Sequence, residues 1–556
     1  MELNCFLLWY KLFYLDAIRV YRSSSPFHFK HRLRMHTSPK TVYFRLNQAA
    51  SIELLLANVL PAGWQLKASA SRKERREFYD TFEWHAFEKE VAIVKKRKTF
   101  FLTDLNTGKE TASIPFPATP SSFFSDGLPS GTLKTALSSL TDIRAFIRLC
   151  SIDAIITSHR ILDDNEKSIA ILTSESLYLA GKEMPEPFLH LFSLLPLKGY
   201  GDEMEQMVTS LTNEGEIAKA LDFREFFLLT MKEAGISVQG YSSKISLDLD
   251  ADAPVQESAR RLLQFTLSVM RANEEGIQKN LDTEFLHDYR VAIRRTRSIL
   301  NQLKGVFERE ETVYYLNLFR ELGKRTNELR DLDVSLLRQA SYFHSLPPFL
   351  QPSLHFFFND IAASRKRLHK EFCCYLASDA CQSFLDKWET FTLQQSVPDP
   401  ERCPNASFST AHVAVESIKK AWKKVIRHGR QVSQETTDSE LHALRIDCKK
   451  LRYLLEFFSS IFPHKTVTPV IRQLKELQEN LGDFVDLSVQ LHFLHERLTT
   501  IPPGKEDIML AASMGALMAT LFQKQEEARG KFHKTFSVFD DEKTVQLFHD
   551  LLTSIH

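Results

Sequence analysis

The sequence predicts an α+β protein with more than one domain. At 556 residues the chain is too long for a single hydrophobic core. Short β-rich runs separated by turns occupy residues 42–179, whereas helix-length amphipathic segments follow Pro254 almost to the C-terminus. Hydrophobic residues make up 43% of the chain and charged residues 25%, which is ordinary for a soluble globular protein.

The overall charge does not indicate a partner, whereas the cysteines indicate the redox compartment. The 71 Lys and Arg residues balance 70 Asp and Glu residues, so any charged partner must be inferred from local clusters. The seven cysteines are scattered and lack zinc-knuckle spacing, which indicates a reduced intracellular protein. We predict no metal and no cofactor.

The N-terminus does not indicate a membrane protein. The apolar run at residues 1–17 is interrupted by Lys11 and Asp16, and its basic residues follow the run instead of preceding it. We interpret residues 1–34 as a leader of uncertain status. The predicted location is the cytoplasm, with no membrane as a partner.

The N-terminal part contains two candidate hairpins. Residues 90–102 predict a strand that enters a hairpin at 106–108, and residues 160–179 predict a second hairpin that turns at 163–165. Residues 187–235 are predicted to be helical. The polar, turn-rich stretch that ends at Pro254 is the best domain boundary, so we predict domains at 35–240 and 255–556 joined by a linker at 241–254.

Two copies of one cationic pattern occur in the helical half. Residues 287–297 read HDYRVAIRRTR and residues 442–452 read HALRIDCKKLR. Both fit His-x-x-Arg-x-x-x-[Arg/Lys]-[Arg/Lys]-x-Arg, with every basic position separated by 155 residues (442 − 287). Five matched cationic positions in an eleven-residue frame rarely arise by chance, so this repeat is the main indication of function.

On a helix, four positions of each copy lie within roughly 80° of arc and form a face about 15 Å long. The first stripe consists of His287, Arg290, Arg294 and Arg297. The second stripe consists of His442, Arg445, Lys449 and Arg452. Like charges one turn apart repel each other by a few tenths of a kcal/mol, so such a stripe favours a polyanion as ligand. Guanidinium groups bind phosphate oxygens in a bidentate manner, and lysines add point charges.

Other interpretations of the repeat stay open. A single such helix is more often a solvated basic face with interhelical salt bridges, and only the duplication favours a ligand. Acidic elements at 328–333 and 481–486 follow the two copies; they suit salt bridges to the stripes, whereas a Mg²⁺ site would need more carboxylates. Four further basic residues are candidates if they lie near the stripes: Lys419, Lys420, Arg365 and Arg367.

The repeat resembles the signature helices of the CHAD family, the conserved-histidine α-helical domains, over about residues 255–556. The resemblance implies an all-α fold of two four-helix bundles related by a pseudo-twofold axis. It also implies binding of inorganic polyphosphate, free or in granules. The polyphosphate-binding residues implied are His287, Arg290, Arg294, Arg295, Arg297, His442, Arg445, Lys449, Lys450 and Arg452.

Residues 42–240 resemble the CYTH domain, a β-barrel tunnel that acts on triphosphates with metal ions. The resemblance is carried by residues 78–81 (FYDT), the hairpin at 160–179 and residues 197–200 (LKGY). The family's opening strand carries Glu-x-Glu-x-Lys, but the strand here reads VYFRL at Val42–Leu46 and has no acid. Without those metal ligands triphosphate hydrolysis loses its electrophile, so we predict a degenerate, catalytically silent domain.

The sequence therefore predicts a non-catalytic polyphosphate-binding protein. The alternatives are a residual metal-dependent triphosphatase or phosphohydrolase, built on His287 and Asp288, and a nonspecific nucleic-acid binder. The absence of interleaved exposed aromatic residues argues against nucleic acid. If His287 and His442 gain protons on binding, affinity should rise as the pH falls from about 8 to 6; alternatively both histidines are neutral residues that orient the helix ends.

Overall fold

The computed structural model describes residues 42–46, 60, 63–141, 143–181, 186–197, 199–200, 207–209, 218–394, 398–433, 435–499 and 505–554. The leader predicted at residues 1–34 lies outside the described residues, as does Lys198 of the 197–200 motif. None of the helices formed by the described residues combines the length and the apolar composition that a membrane crossing requires.

The described residues form two compact units. The first unit draws on the described residues of 42–73, 155–177 and 189–221. The second unit draws on Glu74–Ala154, Tyr178–Phe188 and Asp222–His556. The division therefore runs through the predicted 35–240 domain, because most of the early strands belong with the helices.

The first unit is an antiparallel sheet. Its strands are β1 (Val42–Leu46), β2 (Gln65–Ala68), the last part of β8 (Phe146–Leu162), most of β9 (Ser168–Leu179), β10 (Leu189–Pro196) and β11 (Ala218–Ala220). They are ordered β11-β1-β10-β9-β8, and β2 also pairs with β8. Phe44 lies opposite Phe192 in the β1–β10 register, and their stacked ring centroids are 5.0 Å apart. The sheet thus buries the apolar side of β1.

Two predictions for this unit have different outcomes. The hairpin predicted at 160–179 is confirmed, because β8 and β9 are neighbours and Asp163 Oδ1 accepts hydrogen bonds from two backbone N–H groups of the turn. The helix predicted over 187–235 is wrong at β10, which pairs with β1 and β9. The apolar run LHLFSLLP suits either a helix or a strand, and its two partner strands select the strand.

The second unit begins with a meander of strands. It contains β3 (Arg72–Asp80), β4 (Val91–Lys96), β5 (Thr99–Asp104), β6 (Glu110–Pro115) and β7 (Ser122–Phe123), with short helices α1 (His85–Glu88) and α2 (Thr132–Leu140). Residues 90–102, predicted as one strand, form a tight β4–β5 hairpin in which Arg97 adopts a φ of 55°. The strand pairings within each unit form an open path, so the closed CYTH-like barrel stays a prediction.

The rest of the second unit is helical, as predicted. The helices are α3 (Phe223–Glu233), α4 (Val255–Gln278), α5 (Glu284–Gln302), α6 (Arg309–Arg325), α7 (Asn327–Leu337), α8 (Gln339–His344), α9 (Gln351–Leu376), α10 (Asp379–Leu393), α11 (Thr410–Arg430), α12 (Asp438–Phe457), α13 (His464–Thr499), α14 (Lys505–Phe539) and α15 (Glu542–Thr553). The repeat extends to the helix boundaries, since α4 and α11 begin 155 residues apart (410 − 255), as do α6 and α13 (464 − 309).

Backbone hydrogen bonds between the two copies are exchanged symmetrically. The N–H of Val255 donates to the carbonyl of Phe408 (2.8 Å), and the N–H of Thr410 donates to the carbonyl of Ala253 (2.9 Å). Donors and acceptors correspond at the 155-residue offset (410 − 255 and 408 − 253). Reciprocal contacts of this kind are what a twofold axis produces between two copies. The number of helices in each predicted bundle stays a prediction.

Candidate functional site

Each cationic stripe lies on one helix with an anchored N-terminus and a buried apolar face. Helix α5 carries the first stripe, and α12 carries the second. Ile293 and Leu300 of α5, like Leu444 and Leu451 of α12, are at most 2% exposed. The 3.6-residue period therefore places the basic positions on the opposite side of each helix, away from the shared core.

The first stripe contacts neutral acceptors and no carboxylate among the described residues. Arg290 donates to the side chains of Thr326 and Asn327, the latter at 3.0 Å. Arg294 makes no hydrogen bond or ion pair within the described part of the chain, and its Nε is buried without an acceptor. Burial, followed by the neighbouring Arg320, lowers the pKa of Arg297. These guanidinium groups are held close together without a direct ion pair among the described residues.

A cavity of about 230 Å³ opens beside this stripe. Its lining consists of Arg290, Ile293, Arg294, Arg297, Arg320, Gly323, Lys324, Thr326 and Asn327. Five of these nine residues are basic and none is acidic. We call this space the first-stripe cavity. Its positive charge suits an oxyanion such as a phosphate group.

The second stripe differs because acids neutralise two of its members. Arg445 donates to Asp486 Oδ1 at 2.8 Å, and Arg452 pairs with Glu456. Lys449 has no such partner within the described residues; burial, then Arg445 and Arg294, lowers its pKa to about 8. This lysine is therefore the least compensated charge of the second stripe.

The two stripes lie side by side. Arg294 is close enough to Lys449 to help lower the pKa of that lysine, and the two residues occupy equivalent positions of the repeat (449 − 294 = 155). Arg295 joins the helices, since its Nη2 donates to Glu456 Oε2 at 3.2 Å and its Nη1 to the Ser243 carbonyl. Arg295 thus holds α5 against α12 and is already engaged.

The surroundings of both histidines lower their pKa. Burial, followed by Arg330, Arg294, Arg144 and Arg290, lowers the pKa of His287 to about 3. His442 is more exposed, and burial, Arg445 and Lys449 lower its pKa as well. A neutral His287 between pH 6 and 8 favours the interpretation that it orients the helix, and weakens the expected rise in affinity at lower pH.

Further basic residues continue from the Arg297 end of the first stripe. A groove of about 870 Å³ is lined by Arg297, Lys304, Lys420, Lys424 and Lys450, together with Asp447 and other residues. It shares Lys420 and Lys424 with a second groove of about 560 Å³ lined by Glu416, Lys419, Lys420, Lys423, Lys424 and Arg427. Lys419, Lys420 and Lys450 thus lie on one continuous basic surface with the first stripe.

Arg365 and Arg367 are not part of this surface. Arg365 Nε donates to Oδ1 of the buried Asp333 at 2.8 Å, and Arg367 pairs with Glu371 one turn further along α9. Neither residue lines the first-stripe cavity or the two grooves. Their clustering with Lys366 in sequence reflects a helix face with its own ion pairs.

The repeated acids act on the stripes. Asp486 accepts a hydrogen bond from Arg445. At the equivalent positions of the first copy (486 − 331 = 155 and 445 − 290 = 155), burial lowers the pKa of Arg290 and the charge of Asp331 partly offsets that lowering. This arrangement follows the salt-bridge interpretation of the acidic elements. No group of three His, Cys, Asp or Glu side chains suited to a metal occurs among the described residues.

Sequence reasoning missed several basic residues. Arg320 and Lys324 of α6 line the first-stripe cavity, and Lys304 lines the larger groove. All three lie outside the two eleven-residue copies of the pattern, and the packing of α6 beside α5 brings Arg320 and Lys324 to the site. Two signals were available: Arg320 and Lys324 are one turn apart on α6, and Lys475 stands 155 residues after Arg320 (475 − 320).

The family model of the CHAD domain matches residues 261–495 of this chain. This region is a CHAD domain. Both stripes lie within the CHAD domain, whereas the strands and α14–α15 lie outside the match, so the CYTH-like relationship stays a prediction. No curated protein matches the chain by sequence.

Two solved structures resemble the chain over about half of its length. The crystal structure of the CHAD domain from the plant Ricinus communis is 23% identical, covers 52% of this chain and 95% of that chain, and gives a TM-score of 0.44. PptA from Streptomyces chartreusis is 16% identical, covers 51% of this chain and 99% of that chain, and gives a TM-score of 0.41.

Proposed function

We propose that this protein binds inorganic polyphosphate along the paired stripes of its CHAD domain and does not hydrolyse it. The proposal rests mainly on the first-stripe cavity, in which five basic side chains and no acid line a space of about 230 Å³. Burial of charges that lack internal partners is unfavourable, and an anionic ligand relieves it. A bound phosphate would replace the missing acceptors of Arg294.

A chain of linked phosphates suits the site better than a single phosphate. Arg297 lines both the first-stripe cavity and the 870 Å³ groove, and that groove continues to Lys419 and Lys420 on α11. Lys449 lies beside Arg294 on the neighbouring helix. A flexible polyanion that enters the cavity therefore meets further basic side chains on leaving it, among them Lys420.

Titration of the full chain with long-chain polyphosphate tests the proposal. The triple variant Arg294→Gln, Lys449→Gln, Lys420→Gln removes three charges from this surface and should weaken binding about a thousandfold at low salt, at about tenfold per lost charged contact. A matched variant removes three exposed charges elsewhere on the helical part: Lys366→Gln, Lys370→Gln and Lys387→Gln. Equal losses in the two variants would indicate nonspecific charge attraction and contradict the proposed site.

The same preparation separates the alternatives. Phosphate release from triphosphate and polyphosphate is measured with Mg²⁺ and with Mn²⁺, and turnover at ordinary enzymatic rates would overturn the non-catalytic proposal. Competition with RNA follows, because any polyanion gains from counterion release at a basic surface. RNA that displaces polyphosphate at equal phosphate concentration would favour a general nucleic-acid binder.

A further inference from the structure

A buried arginine of the second unit holds the N-terminal end of the first stripe's helix. Arg144 precedes β8 and is only 5% exposed. Its Nη1 donates to Asp282 Oδ1 (3.0 Å) and its Nη2 to Asp288 Oδ2 (2.9 Å), and it also pairs with Glu83. One guanidinium group therefore bridges two acids of the helical part and one acid of the strand region.

The two helical acids are part of α5 or cap it. Asp282 Oδ1 accepts from the backbone N–H groups of Glu284 (2.9 Å) and Phe285 (3.3 Å), and so caps the first turn. Its other oxygen accepts from the N–H of Ala145 at 3.0 Å. Asp282 thus joins the start of the helix to the backbone beside Arg144.

Asp288 fixes the next turn of α5, directly after His287. Its Oδ2 also accepts from the hydroxyl of Tyr241 at 2.9 Å, and that hydroxyl accepts from the Asn273 amide of α4. The guanidinium of Arg144 stacks on the Phe285 ring at 5.1 Å. Arg144 therefore restrains both the start and the first stripe residues of α5.

The second copy of the repeat has neither of the two acids that bind Arg144. At the position equivalent to Asp282, Thr437 caps α12 in a reciprocal capping box with Glu440. The position equivalent to Asp288 is Ala443 (443 − 288 = 155). The first stripe alone depends on the segment Glu74–Ala154, which lies outside the family match.

We propose that Arg144 is a positioning residue for the first stripe, and that the strand segment Glu74–Ala154 thereby contributes to polyphosphate binding at the first-stripe cavity. The proposal rests on the proposed function. By fixing the first two turns of α5, Arg144 sets where Arg290 and Arg294 stand relative to α6 and to Lys449. A helix end that is free to shift would disperse those charges over several positions and weaken their joint contact with a ligand.

Two substitutions in the full chain separate positioning from simple electrostatics. Arg144→Gln removes a positive charge and Asp288→Asn removes a negative one, so electrostatics alone predicts weaker binding in the first variant and tighter binding in the second. Positioning predicts weaker binding in both, by about tenfold, as for residues that act on a site without touching the ligand. The amide introduced by Asp288→Asn would retain an acceptor for Tyr241, and Arg144 would still pair with Asp282 and Glu83.

The matched control is Arg75→Gln, which breaks the bidentate pair of Arg75 with Asp153 on the same strand segment. We expect this variant to bind polyphosphate like the wild type. Affinity is measured on protein shown to be folded by circular dichroism. If Arg144→Gln does not fold, the Asp288→Asn variant alone tests the positioning role. That variant is expected to fold, because Asp282 and Glu83 keep their ion pairs with Arg144.

The outcomes distinguish this proposal from the proposed function. Wild-type protein that fails to bind polyphosphate overturns the proposed function and removes the basis of this inference. Wild-type binding with an unchanged or tighter Asp288→Asn variant overturns the positioning role alone. A loss in Asp288→Asn that adds fully to that of Lys420→Gln, but not to that of Arg290→Gln, assigns the effect to the first stripe.

Discussion

The equivalent residues of the two stripes, Arg294 and Lys449, allow a quantitative prediction. Each stands without an acid partner among the described residues, and the two lie at equivalent positions of the repeat. Replacing either with Gln should remove one phosphate contact. Each contact with a flexible polyanion releases roughly 0.7 counterion, so each substitution should make the slope of log K against log salt shallower by about 0.7.

The structure also predicts the slope of log K against log salt for the wild-type protein. Ten repeat positions, taken as equal contacts, would give a slope of about −7. Ion pairs already engage Arg295, Arg445 and Arg452, whereas five side chains in or next to the first-stripe cavity remain without an acid partner among the described residues: Arg290, Arg294, Arg297, Arg320 and Lys449. Five contacts predict a slope of about −3.5.

The two slopes are far apart in a simple experiment. Between 50 and 200 mM salt, affinity should fall about a hundredfold for five contacts and more than ten-thousandfold for ten. Fluorescence anisotropy with labelled polyphosphate at five salt concentrations measures this directly. A wild-type slope near −7 would refute the inference that the ion-paired and neutral positions of the repeat do not contribute, and slopes unchanged by Arg294→Gln and Lys449→Gln would place the site elsewhere.

Three further predictions concern pH and stability. Because the pKa of Lys449 is about 8, polyphosphate affinity should fall as the pH rises from 7 to 9. Bound phosphate should raise that pKa, so binding should take up protons. In a titration series over this pH range, Lys449→Arg should abolish the fall. Arg295→Gln should destabilise the fold by about 1–3 kcal/mol in urea unfolding, because Arg295 joins α5 to Glu456 of α12, and should leave the salt slope of binding unchanged. Gly429→Ala should destabilise the fold by about 1–3 kcal/mol, since the new Cβ would lie 1.9 Å from the Phe536 ring. Gly530→Ala should stabilise the fold by about 0.5–1 kcal/mol, because nothing lies within 4 Å of its new Cβ. Equal urea midpoints for the two variants would contradict the packing argument.

Local patterns were sufficient for the helical half and for the repeated cationic faces. Helical periodicity places Ile293 and Leu451 in the core and Arg294 and Lys449 on the opposite faces, and this information lies within a few turns of chain. The 155-residue spacing likewise predicted that two equivalent helices exist. For β10 the local pattern failed, because an apolar run of eight residues suits a helix or a strand, and only pairing with β1 and β9 decides between them.

Tertiary structure decided which of the predicted basic residues remain free to bind an anion. Arg295 and Arg365 match their neighbours in charge and sequence context, yet Glu456 and Asp333, which are distant in sequence, engage them. Arg320 reaches the site only because α6 packs beside α5, and Arg144 reaches α5 from the strand region across 144 residues of sequence. The sequence by itself determines the helices and the faces on which their charges lie. The availability of each charge depends on acids and cavities assembled by long-range packing, which no local periodicity encodes.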